Sequence, residues 1–330
     1  MLQPDRGAAW RAERGPSARG GLCPRRRRRR SAAGAGRSGP ADHAGTGHQG
    51  HRGPVVRPLA GGARMRINAC SVAFRHLDVT ARDLARYVGR EGFDGLEIWA
   101  PHARTLAVEW RDLPQRPPVP MLAGYLPLGT ACFSRADAAD LLDLTRTWGA
   151  PRLRLFAGGV GRDQAGADQR RAILRDLGTT ADMAHDRGLR IAVETHPQTL
   201  ADSLPATLDL LDTLDHPAVG VNFDVLHVWE SGVDPVPAFT ALREHVDHLH
   251  LKSVTARDRL SVFHPDNVHD PRGSRDGMCP LLTGAVDYAA FLRVVPTGMG
   301  ASLEWFGPKP AATMAADLRA LRRDLLDRAA

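Results

Sequence analysis

From Met65 onward, short apolar, β-branched runs alternate with longer helical stretches, and eight such runs can be counted. Few folds accept that pattern. An apolar run followed by a helical stretch is a β-α unit, and repeated units lay their strands parallel in one sheet. The spacing predicts strands over 66–73, 94–99, 119–125, 152–157, 189–194, 219–224, 246–251 and 300–305, and helices over 80–91, 134–148, 167–187, 203–214, 235–244, 286–294 and 310–328. Eight strands at this spacing point to a closed (β/α)8 TIM barrel, α/β in class, with 65–330 as one catalytic domain. One connection reads as deficient. The segment 103–118 carries Pro114, Pro117 and Pro118. Proline removes a backbone donor and breaks helices, so the helix after the second strand is expected to be short or missing.

The formal charge of +7 would suggest a nucleic-acid binder if taken as one number. Its distribution argues otherwise. Residues 1–64 hold 14 arginines and no lysine against Asp5, Glu13 and Asp42, a surplus of +11, which leaves −4 on the remaining 266 residues. The barrel portion is therefore mildly acidic, and neither a nucleic-acid nor a membrane partner is expected for it. The tail 1–64 is rich in Gly, Ala, Arg and Pro and includes the run Arg25–Arg30. It offers too little apolar surface to offset its ordering entropy, so a disordered extension is expected. It also lacks the apolar core of a signal peptide. Three readings compete for it: a solvated extension, an electrostatic arm for nucleic acid or membranes, or an upstream stretch ahead of a true start at Met65. The last is favoured, because Met65-Arg66-Ile67 opens the first strand pattern at once.

Four cysteines, Cys23, Cys70, Cys132 and Cys279, form no C-x-x-C pair. Reduced thiols in a reducing, cytoplasmic compartment are the simplest reading, with Cys279 expected as an exposed, unreactive loop thiol. No apolar run approaches the ~20 residues needed to span a bilayer.

In a barrel, the C-terminal strand ends share one rim, and that rim carries the active site. Here strand four leads into Arg154-Leu155-Phe156, strand five into Glu194-Thr195-His196, and strand six into Asn222-Phe223-Asp224 followed by His227. Strand seven reads His248-Leu249-His250-Leu251-Lys252 and strand eight Ser302-Leu303-Glu304. Glu194, Asp224, His250 and Glu304 thus converge. Taken singly, a strand-end Glu is usually solvated or paired with Arg, and a His in an apolar strand is usually a satisfied core residue. Together they bring three carboxylates to one place, which costs several kcal/mol unless positive charge sits between them. One divalent cation is the economical answer. Three oxygen donors and one imidazole suit Mn2+ or Mg2+, with Co2+ or Zn2+ as substitutes. Arg154, His196, His227 and Lys252 surround that point, and the residues alone leave open whether the cationic ones pair with the carboxylates or contact a substrate.

The stretch 68–307 resembles the xylose-isomerase-like barrel superfamily and, within it, the bacterial 3-dehydroshikimate dehydratases that supply protocatechuate for catechol siderophores and aromatic metabolism. The resemblance is densest in E-T-H-P-x-T-L-x-D-S-L-P-x-T-L (194–208) and N-F-D-V-L-H-V-W-E-S-G-V-D-P (222–235). It continues in H-x-H-x-K (248–252), V-F-x-P-x-N-V (262–268), G-M-x-P-L (277–281) and A-S-L-E-W-F-G (301–307). It implies a carbon–oxygen lyase that dehydrates 3-dehydroshikimate to protocatechuate (3,4-dihydroxybenzoate) through a metal-stabilised enolate. The metal ligands it implies are Glu194, Asp224, His250 and Glu304, the four already met at strand ends. It places catalytic groups at His196, Lys252 and His227 and substrate contacts at Arg154 and Tyr125. In that scheme His196 is the general base, Lys252 the alternative base or a cation beside the enolate, and Arg154 the holder of the substrate carboxylate. His227 orients a ligand or protonates the leaving hydroxyl. The Gly124-Tyr125-Leu126-Pro127 context departs from the family pattern and makes Tyr125 the weakest correspondence. Sugar or inosose isomerases, epimerases and dehydratases of the same superfamily are the competing activities, and a nucleic-acid-binding module acting through the arginine tail is the competing class. The oligomeric state stays open.

Overall fold

The computed structural model describes residues 64–327. The expectations for the Arg-rich extension and for Cys23 lie outside the described residues. Eight strands follow in order: β1 (Arg66–Cys70), β2 (Gly95–Trp99), β3 (Leu122–Ala123), β4 (Arg152–Leu155), β5 (Arg190–Glu194), β6 (Val219–Asp224), β7 (Val246–Leu251) and β8 (Gly300–Leu303). Each pairs parallel with the next, and β8 returns to β1 with Asn68 opposite Ser302, closing the barrel. The expected (β/α)8 fold is the one observed. Among the described residues no helix is long and apolar enough to cross a membrane.

Among the described residues ten α-helical segments run from α1 to α10: Ala81–Glu91, Ala100–Asp112, Arg135–Thr147, Ala167–His185, Leu204–Leu214, Val225–Glu230, Pro235–Leu242, Pro265–His269, Tyr288–Phe291 and Pro310–Asp327. α1 shows how local chemistry sets an element's bounds. The Thr80 hydroxyl accepts from the Asp83 amide and the Asp83 carboxylate accepts from the Thr80 amide, a reciprocal cap that satisfies two otherwise orphaned donors. Gly92 ends the helix at φ 81°, a left-handed conformation that costs a glycine nothing. Between them Ala81, Leu84, Tyr87 and Val88 form the buried face.

The connection after β2 corrects the sequence expectation. α2 is a full 13-residue helix over Ala100–Asp112, not a short or missing one. Its own proline, Pro101, sits in the first turn, where a missing N–H is not needed. Pro114, Pro117 and Pro118 all fall beyond its end, in the link to β3, so they terminate the helix rather than break it. Trp110 anchors α2 by stacking on Trp148, with ring centroids 4.3 Å apart. β3 is shorter than the expected 119–125, yet Leu96 and Ile98 still donate to the carbonyls of Pro118 and Met121, so the barrel wall stays continuous. β1 stops at Cys70 and passes into a 3-10 turn over Ser71–Phe74.

Cys279 also departs from expectation. It is buried, at 7% exposure, and burial pushes its thiol up. Cys70, Cys132 and Cys279 are all free.

One buried carboxyl on the barrel's outer layer makes stability depend on pH. Asp317 of α10 accepts from the Leu281 amide at 3.0 Å, and burial pushes its carboxyl up to about 6. The folded state therefore holds this proton more tightly than the unfolded chain does. That stabilisation is present at low pH and is lost as pH rises through about 6. Asp317→Asn keeps an oxygen for Leu281 and removes the buried charge. It is expected to raise the thermal midpoint by roughly 2–4 °C at pH 7.5 and leave it unchanged near pH 4. Equal shifts in melting experiments at both pH values would contradict this account.

Candidate active site

Inward-facing residues at the C-terminal strand ends assemble one buried charged cluster. Glu194 is the last residue of β5 and Asp224 the last of β6, where it also caps α6 by accepting from the His227 amide at 3.1 Å. His250 lies on β7 in register with Asp224, and Glu304 follows β8 directly. Each of the four offers one ligand atom, and those atoms all lie within 4.8 Å of one another. None is more than 7% exposed.

Two cations share this ground. Arg154 Nε lies 2.9 Å from Glu194 Oε2, and Lys252 Nζ donates to Asp224 Oδ2 at 2.5 Å and Glu304 Oε2 at 2.8 Å. Burial alone would raise the Glu194 carboxyl, but Arg154 and His250 more than reverse this and hold it well below the usual range. Burial would likewise lower Lys252, yet Asp224 and Glu304 beside it raise it. Lys252 therefore sits as an ammonium, clamped between two carboxylates.

A fourth carboxylate, Glu97 of β2, lies fully buried across the barrel and meets His250 from its other side. His250 Nε2 is 3.0 Å from both Glu97 oxygens. A carboxylate can only accept, so Nε2 carries a proton, and His250 Nδ1 faces the remaining three acids. It lies 3.6 Å from Glu194 Oε1, 3.9 Å from Asp224 Oδ2 and 3.5 Å from Glu304 Oε1, and has no hydrogen-bond partner. Four buried carboxylates against Lys252 and Arg154 leave two positive charges wanting. The pull is visible in His250 itself, which burial would lower but which Glu304, Glu97 and Glu194 raise well above its ordinary value. The donor set, the unpartnered Nδ1 and the charge deficit all fit a divalent cation held by Glu194, Asp224, His250 and Glu304.

Above this floor opens a pocket of about 540 Å3, counted to its solvent-open mouth, walled by Tyr125, Phe156, His196, His227, Phe263 and Phe306. The Arg154 guanidinium lies 4.5 Å from the Phe156 ring and 5.1 Å from that of Tyr125. Arg154 is thus both a partner of Glu194 and a lining group of the pocket. Tyr125 stands past the end of β3, 43% exposed, and its hydroxyl accepts from Trp99 Nε1 at 3.0 Å. His196 packs against Phe156 and His227, each at 4.4 Å between ring centroids. Its Nδ1 is 2.7 Å from the Pro197 carbonyl, an acceptor only, so Nδ1 carries the proton and Nε2 the lone pair. Burial, then the neighbouring His227, push His196 well below its ordinary value, which keeps the ring neutral. All nine residues singled out in the sequence gather here.

Three further residues belong to this picture. Glu97 fixes one side of His250. Glu230, 2.7 Å from His227 Nδ1, steadies that ring. His269 of α8 lines the mouth and stacks on Trp99 at 5.8 Å. Glu230 stands three residues after His227 on α6, a helical spacing that the sequence does display. The sign left by Glu97 is a lone acid inside the apolar run Leu96-Glu97-Ile98. His269 carries no comparable signal.

Residues 86–324 match the family described as xylose isomerase-like TIM barrel. Among curated proteins, a 3-dehydroshikimate dehydratase of Bacillus anthracis is 33% identical over 270 residues, covering 78% of this chain and 96% of that protein. Among solved structures, one described as the probable 3-DHS dehydratase AsbF involved in petrobactin synthesis, also from Bacillus anthracis, is 32% identical with a TM-score of 0.74, covering 78% of this chain and 99% of that one. The IOLI protein, solved with a bound zinc atom, shares the fold at 15% identity and a TM-score of 0.60, over 80% of this chain and 97% of that one.

Proposed function

Because this chain belongs to the xylose isomerase-like TIM barrel family and is a dehydratase, a carbon–oxygen lyase, we propose that it removes water from 3-dehydroshikimate to give protocatechuate. One observation carries the reading. The barrel places a buried, positively deficient donor cluster directly beneath two histidines and an arginine, in a chain one-third identical to a dehydratase of that substrate.

Glu194, Asp224, His250 and Glu304 would hold one divalent cation, Mn2+ by the character of the donors, which supplies Lewis-acid stabilisation of negative charge developing on a ketone oxygen. The remaining work falls to the chain's own side chains. The substrate's ring ketone has a hydroxyl two carbons away. That hydroxyl leaves once the intervening carbon gives up its proton. His196 is the proposed base: its Nε2 lone pair is free because the Pro197 carbonyl fixes the proton on Nδ1. Lys252 is held as an ammonium by Asp224 and Glu304, which suits a cation beside the enolate rather than a base. His227, with Nδ1 against Glu230, is the proposed donor to the departing hydroxyl, which leaves as water. A further proton shift within the ring completes the aromatic catechol. Arg154, set against the rings of Tyr125 and Phe156, is proposed to meet the substrate carboxylate with the part of its fork not turned to Glu194. Among the described residues Cys70, Cys132 and Cys279 are free and two of them are buried, which supports a reducing, cytoplasmic setting.

Purified full-length protein supplied with 3-dehydroshikimate and Mn2+ should generate the ultraviolet absorbance of the catechol. An inert 3-dehydroshikimate alongside turnover of a keto-sugar or inosose would replace this reading with the isomerase or inosose alternative.

A further inference from the structure

We infer that Glu97 is a positioning residue for the cation site: it fixes the His250 ring so that Nδ1, and not Nε2, is presented to Glu194, Asp224 and Glu304. The inference rests on the cation-binding reading above and extends it to a residue outside the donor set.

Glu97 is the middle residue of β2, fully buried between Leu96 and Ile98, which are also fully buried. An isolated acid in such a place is costly unless it is paired. Neither Arg154 nor Lys252 is its partner, since those side chains are engaged by Glu194, Asp224 and Glu304. Instead both oxygens of Glu97 converge on His250 Nε2 at 3.0 Å, across the barrel interior and 153 residues away in sequence. The next nearest ring is His248, whose Nε2 lies 3.8 Å from Glu97 Oε2 and 2.8 Å from the Ser302 hydroxyl. Cys70, beside Glu97 in register, turns its thiol to Glu304 Oε1 at 3.8 Å.

Two consequences follow from an acceptor fixed on Nε2. When the ring gives up its second proton to bind a cation, the proton that stays is the one on Nε2, so the lone pair falls on Nδ1, the atom that faces three carboxylate oxygens and has no other partner. The negative charge behind the ring also makes Nδ1 a stronger donor to a cation, as carboxylates behind metal-bound imidazoles do generally. Glu97 thus acts through His250 and does not itself join the four donors.

The test is calorimetric titration of the metal-stripped full-length protein with Mn2+, comparing wild type, Glu97→Gln and Glu97→Ala. Glu97→Gln keeps one oxygen facing Nε2 and nearly the same volume but loses the charge. Wild type should bind one Mn2+ per chain. Glu97→Ala should bind about 10–100-fold more weakly, with Glu97→Gln in between. All three should keep that single-site stoichiometry and the far-ultraviolet dichroism of the folded barrel. Equal Mn2+ affinity in wild type and Glu97→Gln would overturn the inference while leaving the cation site standing. Failure of the wild type to bind Mn2+ would overturn both. If Glu97→Ala does not fold, Glu97→Gln alone decides, through a weakened or an unchanged dissociation constant.

Discussion

Replacing His196 by alanine is expected to lower kcat on 3-dehydroshikimate by about 10²–10⁴-fold, the usual worth of a positioned base, with little change in KM. The expectation comes from the ring's setting. Nδ1 is tied to the Pro197 carbonyl, and burial together with His227 keeps the imidazole neutral, so its Nε2 lone pair is available throughout the neutral range. Steady-state kinetics of His196→Ala beside Lys252→Ala separate the two candidate bases. Near-normal turnover in the histidine variant, with turnover abolished in the lysine variant, would transfer the role of base to Lys252. Lys252→Ala should also be impaired, because it leaves Asp224 and Glu304 facing each other without their shared ammonium. Its mark should be a fall in stability as well as in rate, whereas His196→Ala should melt like the wild type.

Arg154→Met should destabilise the metal-stripped protein by about 3–5 kcal/mol, the usual consequence of removing one partner of a buried ion pair. Glu194 would be left ionised in the barrel at 3% side-chain exposure, without the guanidinium now 2.9 Å away. Adding Glu194→Gln to the same chain should restore much of the loss, because the uncompensated charge is then gone. Denaturant unfolding of the two variants checks both statements. A cost below about 1 kcal/mol for Arg154→Met would mean that Glu194 is compensated by other groups.

The barrel and most of its site were legible because both rest on short-range regularities. Strand parity sends alternate residues inward, and the rim collects whatever stands at the strand ends, so Glu194, Asp224, His250 and Glu304 could be named from position alone. The observed β5, β6 and β7 end within a residue of the expected bounds. What the sequence obscured depends on distance or on context. Glu97 lies in mid-strand and finds its partner across the barrel, a pairing that no local spacing announces. Arg154 reads equally as structural or substrate-binding, and the geometry shows it paired with Glu194 while still lining the pocket. α2 is obscured by Pro114, Pro117 and Pro118, which fall in the segment 103–118 but lie just past the C-terminus of the helix. Cys279 reads as exposed because it falls in a loop, yet it is buried. Here the loop packs beneath α10, whose Asp317 holds the Leu281 amide.

One divalent cation, held by Glu194, Asp224, His250 and Glu304, should be required for the dehydration. That requirement is tested most directly by stripping the full-length protein with a chelator and then following catechol formation as Mn2+ is returned in measured steps. Activity should disappear on stripping and return in proportion to added metal, reaching its plateau at one equivalent per chain. Undiminished turnover in protein shown by elemental analysis to be free of divalent metal would contradict it.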